Sequence, residues 1–190
     1  VSFAGSTAGG TPSAAVSGSG ANYTVTVTGM ASGGLVVASL PAGAAADAAG
    51  NPSAASTSTD NAVTFVNAGT IEFTSAVFNT SEGAGTATIT VARTGGAEGA
   101  VNVDYATVAG TAHSASDYAD ASGTFSWADG ETGPKQFTVA INDDTFNEGT
   151  EVLDLVLTNL TGLSQPEIAT AQLRIAASDP IGPGTYTDQD

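Results

Sequence analysis

The chain of 190 residues has no cysteine, a single histidine and only three basic residues, Arg93, Lys135 and Arg174. Without cysteine there is no disulfide staple and no thiol chemistry. His113, with no cysteine to join it, makes a poor zinc site and reads as a surface loop residue. The net charge of −16 leaves no basic footprint for a phosphate backbone, so nucleic acid is excluded as a partner. It also opposes docking on anionic lipid unless a cation bridges the two. No run of 18 apolar residues exists, so no helix spans a membrane. No leader is legible at Val1, and the sequence reads as starting inside a domain. Aromatics are 6% of the chain, too few to line a glycosidase cleft beside paired carboxylates, and Trp127 fits a core position better than a sugar platform. There is no Gly-x-Ser-x-Gly elbow and no Walker phosphate loop. An enzyme is the weakest reading.

What is present is β-forming. Glycine is abundant at 24 residues, with many Ala, Thr and Ser, a composition that suits a secreted or surface-displayed β-protein. Disorder is excluded because alternating apolar runs recur along the chain. Charge divides the sequence: residues 1–69 hold only Asp47 and Asp60, whereas residues 70–190 hold 17 acids and all three bases. The turn-like Asn67-Ala68-Gly69 marks the boundary. In the first part, Tyr23–Thr28 alternates with Tyr23, Val25 and Val27 on one face. Leu35–Val37 and Ala62–Val66 are further strands, and Asp47–Pro52 is turn chemistry, read as an Asx-turn. In the second part seven strands are expected: Ile71–Phe73, Thr86–Ala92, Ala100–Ala106, Gly123–Trp127, Gln136–Asn142, Val152–Thr158 and Ala169–Ala176. Short strands with turn signals between them predict a β-sandwich. Its inward rows are Val101/Val103/Tyr105, Phe137/Val139/Ile141 and Leu153/Leu155/Leu157. Nothing reads as helix.

The densest chemistry follows the alternation Phe137-Val139-Ile141. Residues Asp143-Asp144-Thr145-Phe146-Asn147-Glu148-Gly149-Thr150-Glu151 place four carboxylates within nine residues. Carboxylates this close repel one another. Three basic residues cannot neutralise the chain's acids, which leaves a hard divalent cation as the counter-charge. Calcium accepts six to eight oxygen ligands from carboxylates, carbonyls and water. Asp104, Glu98, Asp154 and Glu167 read as solvent-facing, and Asp129 and Glu131 as turn residues.

Residues 70 to about 179 closely resemble a Calx-β domain, through motifs in family order. Ser81-Glu82-Gly83 precedes a strand ending Val91-Ala92-Arg93-Thr94-Gly95-Gly96. Then come Val101-Asn102-Val103-Asp104-Tyr105-Ala106-Thr107, Gly110-Thr111-Ala112 and Ser116-Asp117-Tyr118. Gly123-Thr124-Phe125-Ser126-Trp127 leads to Asp129-Gly130-Glu131-Thr132. Ile141-Asn142-Asp143-Asp144, Glu148-Gly149-Thr150-Glu151 and Ser178-Asp179-Pro180 close the series. Two departures stand out. Ala115 occupies a position where the family usually has glycine, and Asn142 one that is sometimes acidic. Residues 1–67 look like the C-terminal portion of a bacterial Ig-like adhesin repeat. Gly20–Val27, Asp47–Ser53 and Ser58–Phe65 carry this likeness.

These resemblances imply an all-β chain of two tandem antiparallel sandwiches, Ig-like and Calx-β, with the first incomplete. The parts are a partial sandwich over 1–67, a Calx-β sandwich over 68–179 and a Pro/Gly-containing tail over 180–190. By motif, the metal ligands are Glu82, Asp117, Asp143, Asp144, the Phe146 carbonyl, Glu148 and Asp179, and the cofactor is Ca²⁺. Glu151 begins the next strand and is read as supporting rather than ligating. The function so implied is a calcium-rigidified structural segment of a large extracellular bacterial surface protein: a stalk, spacer or filament subunit. Its partners would be neighbouring β-sandwiches of the same or an adjacent chain. An adhesive ligand-binding module is an alternative, but it needs an exposed apolar patch that the sequence does not reveal. Strand donation through an open sheet edge is a third reading.

Overall fold

The structure is a computed structural model that describes residues 1–19, 22–145, 148–163 and 169–179. Phe146, Glu167 and the 180–190 tail therefore lie outside the described residues. The chain divides into two compact units, Val1–Asn67 and Ala68–Asp190. No helix among the described residues is long and apolar enough to cross a membrane.

The first unit contains β1 (Gly10–Ser19), β2 (Asn22–Met30), β3 (Gly34–Val37) and β4 (Ala62–Phe65). They form two antiparallel pairs, β1–β2 and β3–β4. The sequence GTPSAAVSGS hides β1, because small residues carry little strand preference of their own. Pairing with the strongly alternating β2 supplies the order, from Ser19↔Asn22 to Gly10↔Met30. Tyr23, Val25 and Val27 share a face as expected, but that face is not buried: Tyr23 is 63% exposed and Val25 41%. Among the described residues of this unit only Ala8 and Val36 are buried apolar side chains. Val1, Val16, Leu35, Leu40, Val63 and Val66 are exposed as well. The expectation that no apolar patch exists is thus corrected. Periodicity shows which face is apolar, not whether a second layer covers it.

The second unit is a sandwich. Its strands are β5 (Thr70–Phe73), β6 (Val77–Ser81), β7 (Thr86–Thr94), β8 (Val101–Val108), β9 (Ser122–Trp127), β10 (Gly133–Ala140), β11 (Thr150–Thr161) and β12 (Thr170–Ala176). One sheet has the order β10-β7-β5, the other β6-β12-β11-β8-β9. The seven expected strands are present with shifted ends. The short β6 lacks an apolar alternation and was not legible. It also makes the one parallel pairing among the described strands, with β12. A single 3-10 turn, Glu82–Ala84, follows β6.

The core lies between the sheets. Ile71, Phe73, Ile89, Val91, Val101, Val103, Val139, Leu153, Leu155 and Leu173 are all at most 1% exposed. Each such side chain removed from water contributes roughly 1.5–3 kcal/mol before entropy is counted. Trp127 is also sealed in, and its indole N–H donates to the Gly133 carbonyl at 3.0 Å. The strand expected to run through Asn142 stops at Ala140. Beyond it the Asn142 amide bonds the carbonyls of Ala115 (3.0 Å) and Ser116 (2.9 Å), which turns the chain toward the neighbouring loop.

Candidate metal centre

One end of the second unit gathers five chain segments. There β6 runs into the 3-10 turn, β10 ends, β11 begins, β12 ends and the loop after β8 passes through His113–Tyr118. Strand pairing fixes this convergence: Thr150↔Ala176 and Ala176↔Ser81 align the rim ends of β11, β12 and β6. The 114–118 loop is held by the Tyr118↔Ile141 bridge and by the Asn142 N–H donating to the Asp117 carbonyl at 2.9 Å.

Carboxylates from all five segments meet at this rim. Ligand atoms of Glu82, Asp144 and Glu148 lie within 4.8 Å of one another; so do those of Glu82, Asp143 and Asp179, and those of Asp117, Glu148 and Glu151. Glu82 therefore belongs to two triads and Glu148 to two, which links all three. Glu82 and Asp117 are buried, at 7% and 8% exposure. Glu82, Asp117, Glu148, Gly149, Glu151, Ile175 and Ala177 line a small recess between them. Gly149 takes φ of 91° there, a left-handed conformation that favours glycine, and its carbonyl accepts from the Ala177 N–H. Hydrogen bonds aim several oxygens. The His113 main-chain N–H donates to Asp117 Oδ2 at 2.6 Å. Ser178 donates its N–H to Glu82 Oε2 at 3.3 Å and its hydroxyl to Asp143 Oδ1 at 3.1 Å.

Of the residues expected to ligate, Glu82, Asp117, Asp143, Asp144, Glu148 and Asp179 all come to this rim, and Phe146 lies outside the described residues. Glu151, which its place at the start of a strand marks as supporting rather than ligating, instead brings its carboxylate into a triad with Asp117 and Glu148. The signal was present in the alternation. Glu151 has the parity of Leu153, Leu155 and Leu157, so it points inward, and at the strand's first turn inward means toward the rim.

The chain's three Lys and Arg residues are placed elsewhere in the sandwich. Arg93 sits at the opposite end of β7 and donates to the carbonyls of Ala68, Ala128, Glu131, Glu98 and Gly99. Lys135, also at that end, pairs with Glu131 at 2.6 Å. Arg174 is exposed, on the outer side of β12. The donor set fits one class of ion. Two oxygens on a common Ca²⁺ at 2.3–2.6 Å are at most about 5 Å apart, and all-carboxylate donors without His or Cys favour a hard cation.

Several other acids are engaged elsewhere. Asp47 accepts from the N–H groups of Ala49 and Asn51 and from the Asn51 amide, all at 2.9 Å. The bonds from Asn51, side chain first, hold its carboxyl below the usual range. Asp104 is likewise lowered by hydrogen bonds from Thr124 and then Asn159. Asp129 accepts from the Gly99 N–H at 2.7 Å, a turn role.

Residues 66–177 match the profile of a family described as the Calx-beta domain. The apo-form Calx CBD1 domain superposes with a TM-score of 0.54 at 24% identity, covering 57% of this chain and 96% of that one. The calcium binding domain CBD12 of CALX1.1 gives the same TM-score and identity, but only 44% of its length is spanned. The Calx CBD2 domain gives 0.52 at 23% identity, covering 59% of this chain and 88% of that one. At these identities the likeness is one of fold. No curated protein matches the chain.

Proposed function

The chain belongs to the Calx-beta family, and from that premise we propose that its acidic rim binds Ca²⁺ and that the chain is a non-catalytic structural segment of a large extracellular bacterial surface protein. Stalk, spacer and filament subunit are the roles this covers. The observation that carries the calcium reading is the set of three linked carboxylate triads, supplied by distant segments of one sandwich. Glu82, Asp117, Asp143, Asp144, Glu148, Glu151 and Asp179 would hold the ions. A bound cation there supplies positive charge and oxygen-coordinating capacity, which offsets carboxylate repulsion that this end of the sandwich otherwise bears. The name of the CBD12 structure, a calcium binding domain, supports the choice of ion. The extracellular setting is supported by the near-absence of lysine and by the acidic composition rich in Gly, Ala, Thr and Ser.

Isothermal titration tests the proposal. About two or more Ca²⁺ ions per chain should bind, with affinities at or below the 10⁻⁴–10⁻³ M range of extracellular calcium modules. Glu82→Gln should weaken the Glu82 triads, whereas Glu151→Gln should weaken the Asp117–Glu148–Glu151 triad and leave Asp143 and Asp179 competent. No heat of binding at millimolar Ca²⁺ would refute the reading.

A further inference from the structure

Ser178 sits among the carboxylates of the rim without being one of them. Strand β12 stops pairing at Ala176, opposite Thr150 of β11 and Ser81 of β6. The next N–H, that of Ala177, donates to the Gly149 carbonyl at 3.1 Å. Past that point the main chain turns to a side chain: the Ser178 N–H donates to Glu82 Oε2 at 3.3 Å. The hydroxyl of the same residue donates to Asp143 Oδ1 at 3.1 Å. Gly83 borders this contact, since a Cβ built on it would lie 3.6 Å from Ser178 Oγ and 3.7 Å from Asp143 Oδ1. Asp179, the following residue, completes a triad with Glu82 and Asp143. Two consecutive residues therefore supply one ligand and grip the other two, which come from the 3-10 turn and from the segment after β10.

We infer that Ser178 is a positioning residue of the rim, one that presets the Glu82–Asp143–Asp179 triad before a cation arrives. The inference rests on the calcium reading above. Three carboxylates with oxygens within 4.8 Å of one another repel, and would splay if nothing held them. Ser178 opposes the splaying as a neutral donor. A lysine or arginine in its place would also hold the oxygens, but its charge would oppose the incoming ion. A hydroxyl and a main-chain N–H orient the oxygens and leave the negative charge of the triad in place. Each ionised carboxylate has about four acceptor sites, so a gripped Glu82 or Asp143 keeps lone pairs to turn toward a cation. Removing a group that holds a ligand in this way typically costs about 10–100-fold in metal affinity. Ser178 is exposed, so its hydroxyl adds little to folding, and the effect on binding separates from any effect on stability.

Calorimetric titration of the full chain with Ca²⁺ compares Ser178→Ala and Ser178→Thr with the unmodified chain. Ser178→Ala keeps the N–H and loses the hydroxyl. It should weaken binding through the Glu82 triads by about tenfold, without changing the number of ions or the urea midpoint in chelator. Ser178→Thr, which keeps the hydroxyl, should restore the affinity. A readout free of metal is amide hydrogen exchange in chelator: the Ser178 N–H should be protected, and Glu82→Ala should remove that protection. Uptake of Ca²⁺ with the same affinity in Ser178→Ala as in the unmodified chain overturns the positioning role and leaves the calcium reading standing. So does a Ser178 amide that exchanges freely in chelator. Loss of an ion from the count in Ser178→Ala overturns positioning in favour of direct ligation by the hydroxyl. No uptake by the unmodified chain overturns both readings.

Discussion

Ala115 shows what a single residue costs. It is one of two described non-glycine residues with positive φ, at 79°, in the loop that delivers Asp117. Its N–H donates to the Tyr118 carbonyl at 2.8 Å, so the loop holds the conformation in place. A left-handed alanine is disfavoured by about 1–2 kcal/mol, and a glycine there gives back about 0.4–1 kcal/mol in chain entropy. Ala115→Gly should therefore stabilise the sandwich by up to about 1 kcal/mol in urea unfolding, and destabilisation would show that the loop is not strained. The departure was legible because the resemblance marks the position as a glycine site. The inward aim of Glu151 was legible in principle from strand parity. The contacts Asn142 makes with Ala115 and Ser116 were not, since they depend on how two loops distant in sequence meet.

At the level of elements, β7 ends in a buried knot. Arg93 is 2% exposed, and its guanidinium donates five hydrogen bonds to carbonyls of three segments: Ala68 before β5, Glu98 and Gly99 in the β7–β8 loop, and Ala128 and Glu131 in the β9–β10 turn. One planar fork thus closes three turns that would otherwise bury unsatisfied carbonyls. Arg93→Met should cost about 3 kcal/mol or more, because charge-assisted hydrogen bonds are lost and their acceptors remain. Arg93→Lys should recover only part of that, since an ammonium cannot reproduce the fork; chemical denaturation that ranks Lys equal to Arg would contradict this account. Strand positions in the sandwich followed from alternation because both sheets bury one face. Alternation failed for β1 and β6, which are rich in small or polar residues and exist through their partners.

For the whole molecule, charge and burial are distributed in opposite ways. Residues 68–190 hold nearly all the acid and nearly all the buried core, whereas residues 1–67 are almost uncharged and barely buried. Calcium should act on one unit alone. An ion that binds only the folded state adds stability that grows with its concentration, about 2.7 kcal/mol at one hundred times Kd. Calorimetry in millimolar Ca²⁺ should raise the sandwich transition by several degrees relative to chelator, and Mg²⁺, with its stricter octahedral demand, should do less. Equal shifts with both ions would point to general charge screening. The charge division was visible in composition, but the exposure of the first unit was not, because it depends on which layers are present.

The parallel pairing of β12 with β6 has a mechanical consequence. Residues 68–179 begin at the Arg93 end of the sandwich and finish at the acidic rim, so a pull on the two ends runs along the strands. In that direction β12 must slide against β6 and β11, and its ladder bonds are strained together in shear rather than opened one by one. Ser178, bonded to Glu82 and Asp143, lies just beyond β12 at the end where such a pull would enter, so those two hydrogen bonds would be loaded along with the β12 ladder.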